Sequence, residues 1–95
     1  MLFEWDPGKS ELNLKKHKVS FTLAATIFDD LLHLSIPDHT SRDEARWVTI
    51  GLAADQATLV VVHTHRSTKT GNEVIRIISA RKATAKERRQ YEEGI

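Results

Sequence analysis

Leu59-Val60-Val61-Val62 is the longest unbroken aliphatic stretch in the chain, and it constrains the fold more than any other feature. Consecutive β-branched residues fit a pleated strand better than a helix. A short run apolar at every position belongs in the middle of a sheet. The strand continues through His63-Thr64-His65. Ser67 to Asn72 then form a polar hairpin loop, with Gly71 and Asn72 as its turn residues. Val74 to Ala80 return as the next strand.

The elements around this hairpin are short. Phe3-Glu4-Trp5 alternates and reads as an edge strand. Asp6 is placed as an N-cap, with Pro7 at the first helical position, where its missing N–H costs nothing. That helix is expected to reach about Lys18, with Leu12 and Leu14 turned inward. Ser20 caps a second helix, in which Phe21, Ala24, Ala25 and Phe28 recur as one buried stripe. Asp29-Asp30 ends it. His33 to Ile36 alternates as far as Pro37, and residues 37–43 read as loop. Arg46 to Gly51 is a strand, with Trp47 and Thr49 on one face and Val48 and Ile50 on the other. A turn at Ala54-Asp55-Gln56 leads into the central strand. Thr84 and Glu87 form a capping box that opens a last helix, ending near Glu93.

Helices and strands are segregated along the chain, so the predicted class is α+β. The expected form is a small antiparallel sheet of three to four strands. The N-terminal helices and the C-terminal helix would pack on one face and leave the other free. With 95 residues, positions 1–95 make a single domain that buries only about 60% of its unfolded surface. The chain has no cysteine, which excludes disulfides and thiolate metal sites and fits a reducing cytoplasm. The first residues lack the pattern of a signal peptide, and no apolar run is long enough to span a membrane.

Net charge is only +1, but it is unevenly spread. From His63 to Arg89 there are eight Lys or Arg against Glu73 and Glu87, whereas Asp29 to Asp55 holds six acids against Arg42 and Arg46. Such polarity can present one positive face on a nearly neutral protein. Arg76 stands between β-branched neighbours where a core would place Val or Ile. Strict alternation turns Ile75, Ile77, Ser79 and Arg81 one way, and Val74, Arg76, Ile78, Ala80 and Lys82 the other. Arg66, Arg76, Arg81 and Arg88 can converge from adjoining elements to grip phosphate; the plainer reading is a solvated face with surface ion pairs. His63 and His65 share a strand face. They suit packing, proton transfer or, with a further ligand, zinc. His17, within Lys15-Lys16-His17-Lys18, suits a solvated helix end. Trp5 and Trp47 read as core or partner-facing anchors. No phosphate-loop glycine pattern, nucleophile elbow or helix-turn-helix is present.

Several blocks together resemble the BrnT-like toxins. In the first half they are Phe3-Glu4-Trp5-Asp6, Lys9, Asn13, Lys16-His17, Val19-Ser20-Phe21, Ala24-Ala25 and Phe28-Asp29-Asp30. In the second they are Arg46-Trp47-Val48-Thr49-Ile50-Gly51, His63-Thr64, Arg66, Arg76 to Arg81, Glu87-Arg88 and Tyr91. The resemblance implies the toxin half of a type II toxin–antitoxin pair, in the bacterial cytoplasm. It implies a RelE-like α+β fold that inhibits translation by cutting RNA. It also implies a BrnA-like antitoxin that binds the toxin directly, with the complex repressing its own promoter through the antitoxin's DNA-binding domain. Family members vary at position 65, so Arg66 rather than His65 is the expected functional side chain.

Metal-independent cleavage uses the ribose 2′-OH as nucleophile on its own 3′-phosphate. For that chemistry the candidates are Arg66, Arg76 and Arg81 on phosphate and transition state, His63 as acid or base, and Ser79 as an orienting hydrogen bond. Lys9, His17, Arg46, Lys82 and Arg88 would hold the rest of the RNA. No metal and no cofactor enter this scheme. The alternatives are a non-catalytic RNA- or protein-binding module, and a metal-dependent hydrolase built on His63 and His65.

Overall fold

A computed structural model describes residues 1–39 and 45–94. The hairpin anticipated around Ser67–Asn72 forms, between β4 (Thr58–Ser67) and β5 (Glu73–Lys82). β3 (Arg46–Leu52) pairs antiparallel with β4 on its other side, and β2 (Leu34–Pro37) pairs antiparallel with β3. β1 (Leu2–Glu4) adds to β5 in parallel, so the sheet is five-stranded and mixed, in the order β1-β5-β4-β3-β2. This corrects the expectation of three to four antiparallel strands. β1 has three residues and β2 four, too few for a reliable period, and a parallel partner distant in sequence leaves no local turn signal. The loop expected over 37–43 lies partly outside the described residues.

Among the described residues three helices accompany the sheet: α1 (Pro7–His17), α2 (Phe21–Ala25) and α3 (Ala85–Glu93), with a 3-10 turn at Thr26–Asp29. The Asp6 carboxylate accepts from the Gly8 and Lys9 amides and opens α1; Ser20 Oγ accepts from the Leu23 amide and opens α2. Phe21, Ala24 and Ile27 then bury fully against Leu59, Val61, Ile75 and Ile77. Gly51 allows a close approach on this inner face: a Cβ there would lie 3.0 Å from Ile27 Cβ, tighter than most side-chain contacts.

α1 does not bury Leu12 and Leu14, which are 67% and 49% exposed. The residue it buries is Asn13. Its side-chain amide donates to the Ala80 and Val19 carbonyls at 2.8 and 3.0 Å and accepts from the Ala80 amide at 3.1 Å. β1 pairs with β5 only from Val74 to Arg76. Farther along, Asn13 supplies the hydrogen bonds that another strand would otherwise make, which is why an amide sits where a leucine was expected.

The helices do not all share one face. Val60 points away from the inner core, yet it is 3% exposed. α3 covers that side: it contacts β3, its Glu87 pairs with Arg81 opposite Val60, and the Tyr91 hydroxyl donates to Asp30 near the start of β2. The capping box at Thr84 and Glu87 is formed as expected and sets the angle at which α3 turns back. Beyond α3 the outer face remains open, and Arg66 and Arg76 on it are exposed. No helix of the described residues is long and apolar enough to cross a membrane.

Candidate functional site

Alternation along 74–82 would have sent Arg76 and Arg81 to opposite faces, but the structure puts them on one. Thr64 lies opposite Arg76 and Val60 opposite Arg81, and these two partners share a face of the unbroken strand β4. Val62 faces Ser79 while His63 faces Ile77, so Ile78 is an extra residue in β5. That is a β-bulge, and it reverses the phase of everything after it. Ile75, Ile77 and Ala80 therefore all turn inward and are buried. Arg76, Ser79 and Arg81 share the outer face with Arg66 and with Arg46, the partner of Thr64.

Arg66, Arg76 and Arg81 each meet a carboxylate, in two different ways. Glu4 lies beside Arg76 in the parallel pairing of β1 with β5. Arg66 Nη1 is 2.5 Å from Glu4 Oε1, and Arg76 Nη1 is 3.6 Å from the same oxygen. The Arg66 hydrogen bond, with the charge of Arg76, holds the Glu4 carboxyl below its ordinary value. Arg81 instead makes a two-pronged bond to Glu87, Nη1 to Oε1 at 2.7 Å and Nη2 to Oε2 at 2.9 Å. Arg81, together with the Thr84 amide, pushes the Glu87 carboxyl down to about 2.

Ser79 and the bulged Ile78 also line a shallow groove with Lys9, Lys16 and His17 of α1. The basic side of α1 thus runs onto the outer face at the bulge. Arg88 lies on α3, where its Nη1 approaches the Ala83 carbonyl at 3.5 Å. Lys82 is opposite Leu59, on the packed side, away from the others.

His63 lies on the inner face and is 3% exposed. Its Nδ1–H donates to the Thr64 carbonyl at 3.3 Å, so Nε2 accepts from Thr49 Oγ1 at 2.6 Å; Thr49 in turn is 2.7 Å from Ser35 Oγ. Phe28 packs edge-on, with ring centres 4.9 Å apart. Burial pushes the imidazole down to about 4. His63 therefore sits across the sheet from the arginines, as a neutral, hydrogen-bonded core residue. His65 is exposed and bonded to Glu73. Among the described residues no three His, Asp or Glu side chains gather in a way that could hold a metal ion.

Two residues, Glu4 and Asp30, carry weight here without having been among the site candidates of the sequence. The Phe3-Glu4-Trp5 alternation does set Glu4 apart from Phe3, but nothing local says that its neighbour would be Arg76. Asp30 is likewise a hub: its carboxylate accepts from the Leu32 and Leu52 amides, at 2.9 Å each, and from Tyr91.

A sheet face bearing four arginines, with Arg66 and Arg76 on its exposed part and a lysine-rich helix at its border, defines a small α+β protein suited to holding a polyanion. The chain belongs to the BrnT family: the family described as "Ribonuclease toxin, BrnT, of type II toxin-antitoxin system" matches residues 5–87. The 1.1 Å crystal structure of the Brucella abortus ribonuclease toxin BrnT is similar to it, with a TM-score of 0.61 and 26% identity over 88% of this chain and 99% of that one. No curated protein matches the chain.

Proposed function

We propose that the open outer face cuts RNA by attack of the ribose 2′-OH on the adjacent phosphate, without a metal ion, and that this cleavage inhibits translation. The observation that carries the reading is the Ile78 bulge, which brings Arg76, Ser79 and Arg81 to one side, next to Arg66 and the groove of α1. Guanidinium groups aimed at phosphate stabilise the charge that develops on phosphorus, and each such donor commonly contributes roughly 10²–10³ in rate. Arg66 and Arg76 are placed for that role and Arg81 beside them, with Ser79 as an orienting hydroxyl. Lys9, His17 and Arg46 extend the surface for flanking nucleotides, and Arg88 adds charge from α3. His63 contributes to the packing beneath.

Membership of a toxin–antitoxin family implies an antitoxin partner and an RNA target. We assign the antitoxin to the BrnA-like type, binding the toxin directly and carrying the complex to promoter DNA, in the bacterial cytoplasm. Kinship with the RelE group of ribonucleases belongs to the same reading.

The test is an RNA cut by the purified chain, then remade with one 2′-deoxy nucleotide at the scissile position. Cleavage should vanish there and persist in EDTA. Cutting at the deoxy position would overturn the mechanism. A second reading, a non-catalytic binding module, is favoured by the carboxylate beside each of Arg66, Arg76 and Arg81. It predicts RNA or protein binding with no turnover at any enzyme concentration.

A further inference from the structure

With His63 buried on the far side, the outer face needs another group to take the 2′ proton, and resting on the ribonuclease reading we infer that Glu4 is the general base. Glu4 is the carboxylate set between the two arginines least committed elsewhere. Its position is fixed by backbone pairing, since Glu4 lies beside Arg76 in register. Both cations approach the same oxygen, Oε1, and Oε2 makes no hydrogen bond to the described residues. One oxygen is thus anchored and the other is available to a substrate hydroxyl. The side chain is 37% exposed, so a ribose can reach it. A phosphate bound by Arg66 and Arg76 would place its neighbouring 2′-OH next to the carboxylate.

The step balances as follows. Glu4 Oε2 takes the proton of the 2′-OH as the O2′–P bond forms. The P–O5′ bond breaks, and the leaving 5′ oxygen takes a proton from water. The hydroxide left behind is neutralised by the proton on Glu4. The products are a 2′,3′-cyclic phosphate and a 5′-hydroxyl. Arg66 on β4 and Arg76 on β5 are the charged groups that face Glu4; they keep it ionised while they hold the phosphate. An anchored carboxylate of this kind is a weak base, and the gain comes from its placement.

The experiment is single-turnover cleavage of RNA by the wild-type chain and by Glu4→Gln, across pH, alongside binding of the same RNA carrying the 2′-deoxy block. Glutamine keeps the length and an acceptor oxygen for Arg66 but cannot take a proton at Oε2. The expected result is a rate loss of roughly 10²–10⁴ with binding of the blocked RNA kept or tightened, since losing the carboxylate charge frees Arg66 and Arg76 for phosphate. The wild-type rate should fall as Glu4 protonates in acid, and that limb should be absent from the residual Glu4→Gln activity. If wild type cuts RNA and Glu4→Gln cuts equally well, Glu4 is not the base and the ribonuclease reading survives. If Glu4→Gln loses rate and binding in parallel, Glu4 is a positioning residue and the base role is overturned. If wild type does not cut RNA at all, both readings fall. The wild-type pH profile decides the matter even if the variant folds poorly, because a rate independent of pH down through the carboxylate range would exclude Glu4 by itself.

Discussion

Arg76 and Arg81 leave the same face of the same strand and meet different partners. Arg81 is clamped in two places by Glu87, a residue that also closes the capping box of α3. Arg76 shares one oxygen of Glu4 with Arg66, at 3.6 Å. Two guanidinium groups on one carboxylate leave net positive charge, whereas one on one leaves none. Arg81 fastens a helix to the sheet, and Arg76 faces solvent with attraction to spare. Membership of a cationic face thus does not settle a residue's role; the number of acids it must share does. The sharpest way to break this contrast is alanine substitution at each position. Arg76→Ala should lower RNA cleavage by roughly 10²–10³ while leaving thermal stability almost unchanged. Arg81→Ala should lower both cleavage and the melting temperature. Equal thermal losses in the two variants would erase the distinction.

The inner face offers the opposite case, a titratable group whose surroundings suppress its charge. His63 has its imidazole at about 4 when folded, against an ordinary 6.5. Between those values the unfolded chain binds a proton that the folded chain does not, so stability falls as pH drops from about 6.5 to about 4. The full loss is on the order of 3 kcal/mol. His63→Gln removes the titration, and its denaturant midpoint should be flatter than wild type over that window. A wild-type midpoint that does not move between neutral pH and pH 4 would show that His63 is open to solvent and free to act as an acid or base.

The contrast between the faces also shows what the sequence made legible. The hairpin and the capped helix starts are local features, written in periods and caps, and they appear where their residues place them. The stripe of α2 holds only for Phe21 and Ala24, because the helix tightens into a 3-10 turn after Ala25 and buries Ile27 where Phe28 was expected. The pairing of β1 with β5 is not local, and three residues cannot announce a parallel partner at the far end of the chain. The bulge at Ile78 is subtler. Ile77-Ile78 reads equally well with either residue inward, so only the demand that Ala80 pack and bond to Asn13 selects the phase. One unpaired residue then moved Arg81 to the face of Arg76. The basic cluster was therefore visible in composition, while its division between a clamp and an open site depended on contacts distant in sequence.

Asn13 is the hinge of that argument, and it can be tested directly. It meets both the N–H and the C=O of Ala80 and also the Val19 carbonyl. Asn13→Ala leaves these main-chain groups without partners in a buried place, at a cost of roughly 1–3 kcal/mol. Hydrogen exchange at the Ala80 amide should rise together with the loss of stability. Asn13→Leu, which fits the ordinary pattern of an amphipathic helix, should be no better. If leucine matches wild type, the buried amide is dispensable and the bulge is held by packing alone.

The smallest expected effect bears most closely on the two arginines. Glu87→Gln keeps an acceptor for the Thr84 amide and preserves the capping box, since glutamine serves there as well as glutamate. It removes only the charge that holds Arg81. Glu87 sits at about 2 when folded, below its ordinary 4.5, so the stability it contributes is present above about 4.5 and is lost as pH falls through about 2. The pair is partly exposed, so the loss in Glu87→Gln at neutral pH should be at most about 1 kcal/mol, and the acid limb of the stability curve between those two values should flatten. Affinity for RNA blocked at its 2′ position should rise, because Arg81 then joins Arg76 as a cation with charge to spare. If affinity stays where it was, the clamp does not restrain Arg81. The difference between the two arginines would then lie in where each stands along β5, and the acids each one shares would be incidental.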